Sequence, residues 1–176
     1  ASTFTASAAT AQVQNYVPVT DAMLQNPDPN DWLNWRRTLD AQAHSPLDQI
    51  TADNVGDLRL VWSWALRTGP QQTTPLVHDG VLYIANPGEI VHAINAATGD
   101  LIWEYERGAE APGNSFGGPP PGRMTRNISM YEDKIFLNTA DAHVVAVDAA
   151  TGEEVWDADI DQGVGYQFSS GSIVAD

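Results

Sequence analysis

The chain has 176 residues and carries only eight Lys and Arg against 23 Asp and Glu, a formal charge of −15. Nucleic acid and anionic membrane surfaces are poor partners for such a chain, because both demand a basic footprint; an acidic surface can instead steer a basic protein such as a cytochrome. The absence of cysteine excludes disulfides, thiol catalysis and covalent c-type haem within the chain, and no apolar run reaches membrane-spanning length.

Residues 1–15 are small and polar, and read as a mobile or surface-lying start. The first ten, rich in Ala, Ser and Thr with no initial Met, look like a mature terminus left by signal-peptide removal, which implies export to the periplasm. Val17–Leu24 is expected to form a short helix capped by Thr20 or Asp21, broken by the Asn- and Pro-rich run 26–30. An aromatic and basic cluster, Asp31 to Arg37, follows. A one-turn helix is expected over Ala52–Leu58 with Thr51 as its cap. Residues 58–66 alternate as a strand does, placing Leu58, Leu60, Trp62 and Trp64 on one face.

Beyond residue 70 the chain repeats. Asp79–Trp103 superimposes without a gap on Glu132–Trp156, an offset of 53 residues, and each copy carries Ala-Ala-Thr-Gly before a strand ending in Trp. In each copy a turn (Asp79-Gly80, Glu132-Asp133) closes a hairpin, and a second turn (86–89, 139–142) leads to a third strand. The third strand ends at Asn95 or Asp148, whose side chain can accept from the corner's backbone amides, while Gly99 and Gly152 supply left-handed backbone. Trp103 and Trp156 are large enough to bridge neighbouring repeats, each indole N–H finding a carbonyl there.

Short strands and turns at this period define the blades of a β-propeller, an all-β fold. Two blades cannot close a ring. Residues 171–176 resemble the openings of the other two, so the chain reads as the N-terminal part of a larger propeller. Residues 1–30 form an N-terminal extension and 31–176 the propeller part, with blade repeats at about 72–107 and 127–160 and a third blade begun at about 168. The Pro- and Gly-rich segment Arg107–Arg126 fits neither strand nor helix and reads as a functional or a disordered loop, lying on the propeller face if blade two begins at Asn127.

The Trp-terminated corner resembles the tryptophan-docking motif of the eight-bladed pyrroloquinoline quinone (PQQ) dehydrogenases. Asp31-Trp32, then Ser45 to Ile50, then Asn54-Val55 with Leu58 and Trp62, is similar in order and spacing to the opening segment of the quinoprotein alcohol dehydrogenases. The resemblance implies a periplasmic enzyme that oxidises an alcohol by hydride transfer to PQQ and passes electrons to a soluble acceptor such as cytochrome c. It places Gln72 where many relatives have a glutamate that bonds a PQQ carboxylate, and Arg126 where the family has an arginine beside the quinone oxygens. Ser169 and Ser170 fall near its small-hydroxyl contact. Pro120 and Pro121 stand where many relatives carry a disulfide of adjacent cysteines against the quinone. That departure points toward bulkier alcohols such as sugars, polyols or polymers.

By the same resemblance, the Ca²⁺ ligands and the Asp general base lie downstream of Asp176, in the remainder of the propeller, whether a separate or a missing chain. No metal ligand is assigned here: the turn carboxylates bond backbone, and the four His lack ligand spacing. A non-catalytic scaffold or sensor propeller would share the blades but not the opening segment. A quinohaemoprotein with a C-terminal cytochrome domain is a third reading.

Overall fold

The structure, a computed structural model, describes residues 11–108, 126–161, 168 and 170–174. They form two four-stranded antiparallel sheets, each a simple meander. The first contains β1 (Leu76–His78), β2 (Val81–Asn86), β3 (Ile90–Asn95) and β4 (Leu101–Glu106); the second contains β5 (Ser129–Tyr131), β6 (Lys134–Asn138), β7 (His143–Asp148) and β8 (Glu154–Asp159). The repeat extends to local irregularities. The register slips between Ala93 and Ile94 in one sheet and between Ala146 and Val147, the equivalent pair, in the other.

The corners form as their residues dictate. Asn95 Oδ1 accepts from the Ala97 and Thr98 amides (2.9 and 3.2 Å), and Asp148 Oδ1 from those of Ala150 and Thr151 (2.9 and 2.8 Å). Gly99 and Gly152 have φ of 78° and 77°. Space imposes a second requirement: a Cβ on Gly152 would lie 2.7 Å from the Trp103 ring, and one on Gly99 equally close to Trp62. The absence of a side chain thus lets an indole lie flat on the neighbouring corner.

That contact joins the sheets. Trp103 is almost fully buried, and its Nε1 donates to the Ala149 carbonyl (3.1 Å), which also accepts from the Tyr83 hydroxyl (3.2 Å). Trp156, the equivalent residue of the second blade, is 40% exposed, with no following blade among the described residues to receive it. Polar contacts close the seam at its rim. Arg107, just after β4, donates through Nη1 to Asp141 (2.7 Å) and through Nε to Asp157 (2.9 Å), while buried Glu89 accepts from the Ala140 amide (2.7 Å). Burial opposes ionisation of Asp141, but hydrogen bonds from Arg107 and Thr139 and the Arg107 charge outweigh it and hold its carboxyl below the usual carboxylate range.

The N-terminal region departs from expectation. Its helix, α1, spans Asp21–Gln25 rather than starting at Val17; Thr20 caps it, accepting from the Met23 amide (3.3 Å). Val19 is instead extended, exchanging backbone hydrogen bonds with Glu132 (2.8 and 2.9 Å), and is fully buried. The extension therefore belongs to the core, joined there by Leu24 and Leu33. Over 52–58 only a 3₁₀ turn forms, Val55–Asp57; Asn54 rather than Thr51 organises it, its Oδ1 accepting from the Thr51 amide (2.8 Å). Residues 58–66 are extended but unpaired. Their alternation survives in the half-buried Trp62 and Trp64, and Trp62 Nε1 donates to Ala96 O (3.0 Å) as Trp103 does to Ala149. Leu60 and Val61 are exposed, because the segment meets no neighbouring strand among the described residues.

Candidate functional site

The openings of the two blades lie side by side. Before β1, Gln71 Nε2 donates to the Ala85 carbonyl (2.8 Å) and Thr73 Oγ1 donates to the same oxygen (3.3 Å), fixing the strand that carries Gln72. Before β5, Asn127 reaches across to the first blade, its Oδ1 accepting from the Thr74 amide (3.0 Å). The next residue, Ile128, is buried and anchors the chain beside that crosslink. These anchors bring Arg126 against Gln72, and Arg126 Nη1 donates to Gln72 Oε1. With its oxygen so engaged, the Gln72 amide keeps its N–H donors for a ligand.

A third segment completes the cleft. The Ser170 carbonyl accepts from Asn138 Nδ2 (3.2 Å), and Ser172 Oγ lies 2.8 Å from Ser129 Oγ. Between them Gly171 passes so close to blade two that a Cβ there would fall 2.0 Å from the Asn127 carbonyl oxygen; only glycine fits. The resulting cavity has a volume of about 460 Å³, with Trp35, Gln72, Arg126, Asn127, Ser170 and Ile173 among its walls. It offers a fixed cation, an amide and hydroxyls, a donor set suited to an anionic, oxygen-rich ligand.

Of the residues singled out from sequence, Gln72, Arg126 and Ser170 meet in this cleft. Pro120, Pro121 and Ser169 lie outside the described residues, as does most of the loop Arg107–Arg126. Arg107 belongs to the seam between the sheets. Most of the other wall residues went unassigned in the sequence, Asn127 and Trp35 among them. Asn127 adjoins Arg126, and the adjacency was its only signal. Trp35 lies in the aromatic and basic cluster, far from the blades in sequence. Among the described residues no three His, Cys, Asp or Glu side chains are placed to hold a metal ion, and no helix is long and apolar enough to cross a membrane.

Residues 32–157 match the β-propeller domain of the glucose/ethanol/alcohol dehydrogenases, the PQQ family. The chain is 40% identical over 129 residues to the dehydrogenase subunit of the quinone alcohol dehydrogenase of Acetobacter aceti, covering 73% of this chain and 17% of that one. It is 37% identical over 115 residues to the 1-butanol dehydrogenase (cytochrome c) of Thauera butanivorans, covering 65% and 16%. The solved quinohemoprotein alcohol dehydrogenase ADHIIG of Pseudomonas putida HK5 superimposes with a TM-score of 0.76 at 29% identity, over 92% of this chain and 24% of that one. The chain thus spans about a sixth of the length of these curated relatives. With two matching blades and a match over most of its length, the chain belongs to the PQQ-dependent glucose/ethanol/alcohol dehydrogenase β-propeller family.

Proposed function

We propose that the protein to which these blades belong is a PQQ-dependent alcohol dehydrogenase, and that this chain forms one side of its cofactor pocket. The observation that carries the reading is the meeting of Gln72, Arg126 and Ser170, drawn from three separate segments, around one cleft. Their chemistry fits the group: PQQ is a planar tricarboxylate, and the cleft supplies a guanidinium, amide N–H groups and hydroxyls in a chain otherwise strongly acidic. Gly171, where a Cβ would strike the Asn127 carbonyl, keeps the third segment close enough to take part.

When bound, PQQ supplies the quinone that accepts hydride from the alcohol. Arg126 then stabilises negative charge developing on the ligand's oxygens, held for that task by Gln72. Gln72 donates to a carboxylate through its amide nitrogen, and Ser170 adds a hydroxyl donor. The Ca²⁺ ion and the general base come from parts of the protein beyond this chain. The alcohol is a bulky one, a sugar or polyol, on the strength of the Pro pair. Electrons leave to a cytochrome-type acceptor, a role to which the charge of −15 lends support by attracting a basic partner. A periplasmic location is part of the same proposal.

The test is reconstitution of the full-length protein. PQQ and Ca²⁺ are added to the metal-free apoprotein, and the absorption spectrum and alcohol-dependent dye reduction are recorded. Quinone absorbance with alcohol-dependent turnover is the expected result. An intact protein that takes up no PQQ would instead be a scaffold propeller.

A further inference from the structure

We propose that Trp35, backed by Arg36, is an aromatic wall of this cleft and binds the planar face of an anionic ligand. Four observations converge on it. First, the chain delivers it there. Asp31 bonds the hairpin end of β1, accepting from the Asp79 amide (3.0 Å), and Trp32 then exchanges backbone hydrogen bonds with Val77 (2.8 and 3.0 Å), antiparallel to β1. Residues 31–35 therefore climb the free edge of β1 from its turn toward its opening, where Gln72 and Arg126 lie. Second, burial singles it out. Leu33, Asn34 and Arg37 are buried, whereas Trp35 between them is 39% exposed.

Third, the turn that presents it is braced. The Arg37 amide donates to the Asn34 carbonyl (2.9 Å), the Ala43 amide to that of Arg36 (3.1 Å), and Arg37 Nη2 reaches the Pro27 and Asp28 carbonyls (both 3.3 Å). A side chain so presented loses little entropy on binding. Fourth, the Arg36 guanidinium carbon lies 4.4 Å from the centroid of the Trp35 ring, covering one face and leaving the other for a ligand. Arg126 gives an aromatic-lined cleft positive charge within a chain of net −15, and Arg36 adds a second cation behind the Trp35 ring. That combination selects a planar anion over a neutral sugar.

Identifying the planar anion as PQQ rests on the proposed function, and the experiment separates the two. Full-length apoprotein carrying Trp35→Ala, Trp35→Phe, Trp35→Leu or Arg126→Ala is titrated with PQQ, following the ligand's absorbance, with Tm recorded for each variant. Trp35→Ala is expected to raise Kd roughly tenfold, a stacking contribution, while Trp35→Phe stays near wild type and Trp35→Leu follows Ala. Unchanged affinity in Trp35→Ala alongside weakened binding in Arg126→Ala overturns the role of Trp35 and leaves the cleft assignment standing. Unchanged affinity in both overturns the cleft assignment and the inference with it. Should Trp35→Ala lower Tm, the Phe and Leu variants decide, and equal Kd for those two overturns the aromatic role.

Discussion

Trp103 and Gly152 are a matched pair, and the match sets what each tolerates. Truncating Trp103 to Ala removes a buried indole and its hydrogen bond to Ala149, which should cost about 3–5 kcal/mol in denaturant-unfolding stability. Gly152→Ala should cost roughly 1–3 kcal/mol, because a methyl group would meet the indole at 2.7 Å on a backbone with φ of 77°. Arg126 stands apart from the core in the open cleft. Arg126→Ala should reduce turnover of the reconstituted full-length enzyme on the order of a hundredfold while leaving the thermal midpoint unchanged; normal turnover would remove its assigned role. Residues at this scale differ in legibility. Gly152 and Asp148 were readable because a corner admits few chemistries. Trp35 was not, because nothing local to residues 31–37 says what lies opposite them.

The blades meet at two kinds of contact, an apolar one under Trp103 and a polar one around Arg107. The polar rim ties the end of β4 to the second sheet through Asp141 and Asp157. Arg107 is buried at the side chain, and its removal strips the cation from buried Glu89 as well as from Asp141. Arg107→Met should therefore cost about 3 kcal/mol by chemical unfolding. The rim also fixes a pH dependence. The Asp141 carboxyl lies below its ordinary range in the folded protein, so its contribution is present above the unfolded-state value and is lost as pH falls through the folded one. Thermal melts should show acid destabilisation that is smaller in Asp141→Asn; identical acid profiles would assign the loss to other groups. Elements whose pattern is local formed as read, namely β2, β3 and their repeats. The helix expected over Val17–Leu24 forms only from Asp21, behind its Thr20 cap, because Val19 gains more from pairing with Glu132 and full burial than from a helical turn.

For the molecule as a whole, the described residues hold two blades, in a chain that spans about a sixth of the length of its curated relatives. The unpaired strand-like run at 58–66, with Leu60 and Val61 more than four-fifths exposed, and the open face of Trp156 are apolar surfaces of the kind that blades cover in one another. Expressed alone, the chain should self-associate, and Val61→Lys should lessen this in sedimentation at unchanged secondary structure. In the full-length protein, PQQ at a hundredfold excess over its Kd should raise stability by about 2.7 kcal/mol; a thermal midpoint indifferent to PQQ would mean that the cleft does not hold it.

The sequence by itself determined the blades. Their strands and corners are set by alternation, turn chemistry and the glycines that each corner demands, all within a few residues of one another, and the 53-residue repeat shows them twice. It also marked Gln72, Arg126 and Ser170, through resemblance. Only the tertiary structure decided that these three share one cleft, that the N-terminal extension enters the core, and that Trp35 stands at the cleft wall. Each of those facts depends on hydrogen bonds between distant segments: backbone pairing of Val19 with Glu132 and of Trp32 with Val77, and the Thr74 amide donating to the Asn127 side chain. Such pairings arise from packing across the whole molecule, and no local pattern encodes them.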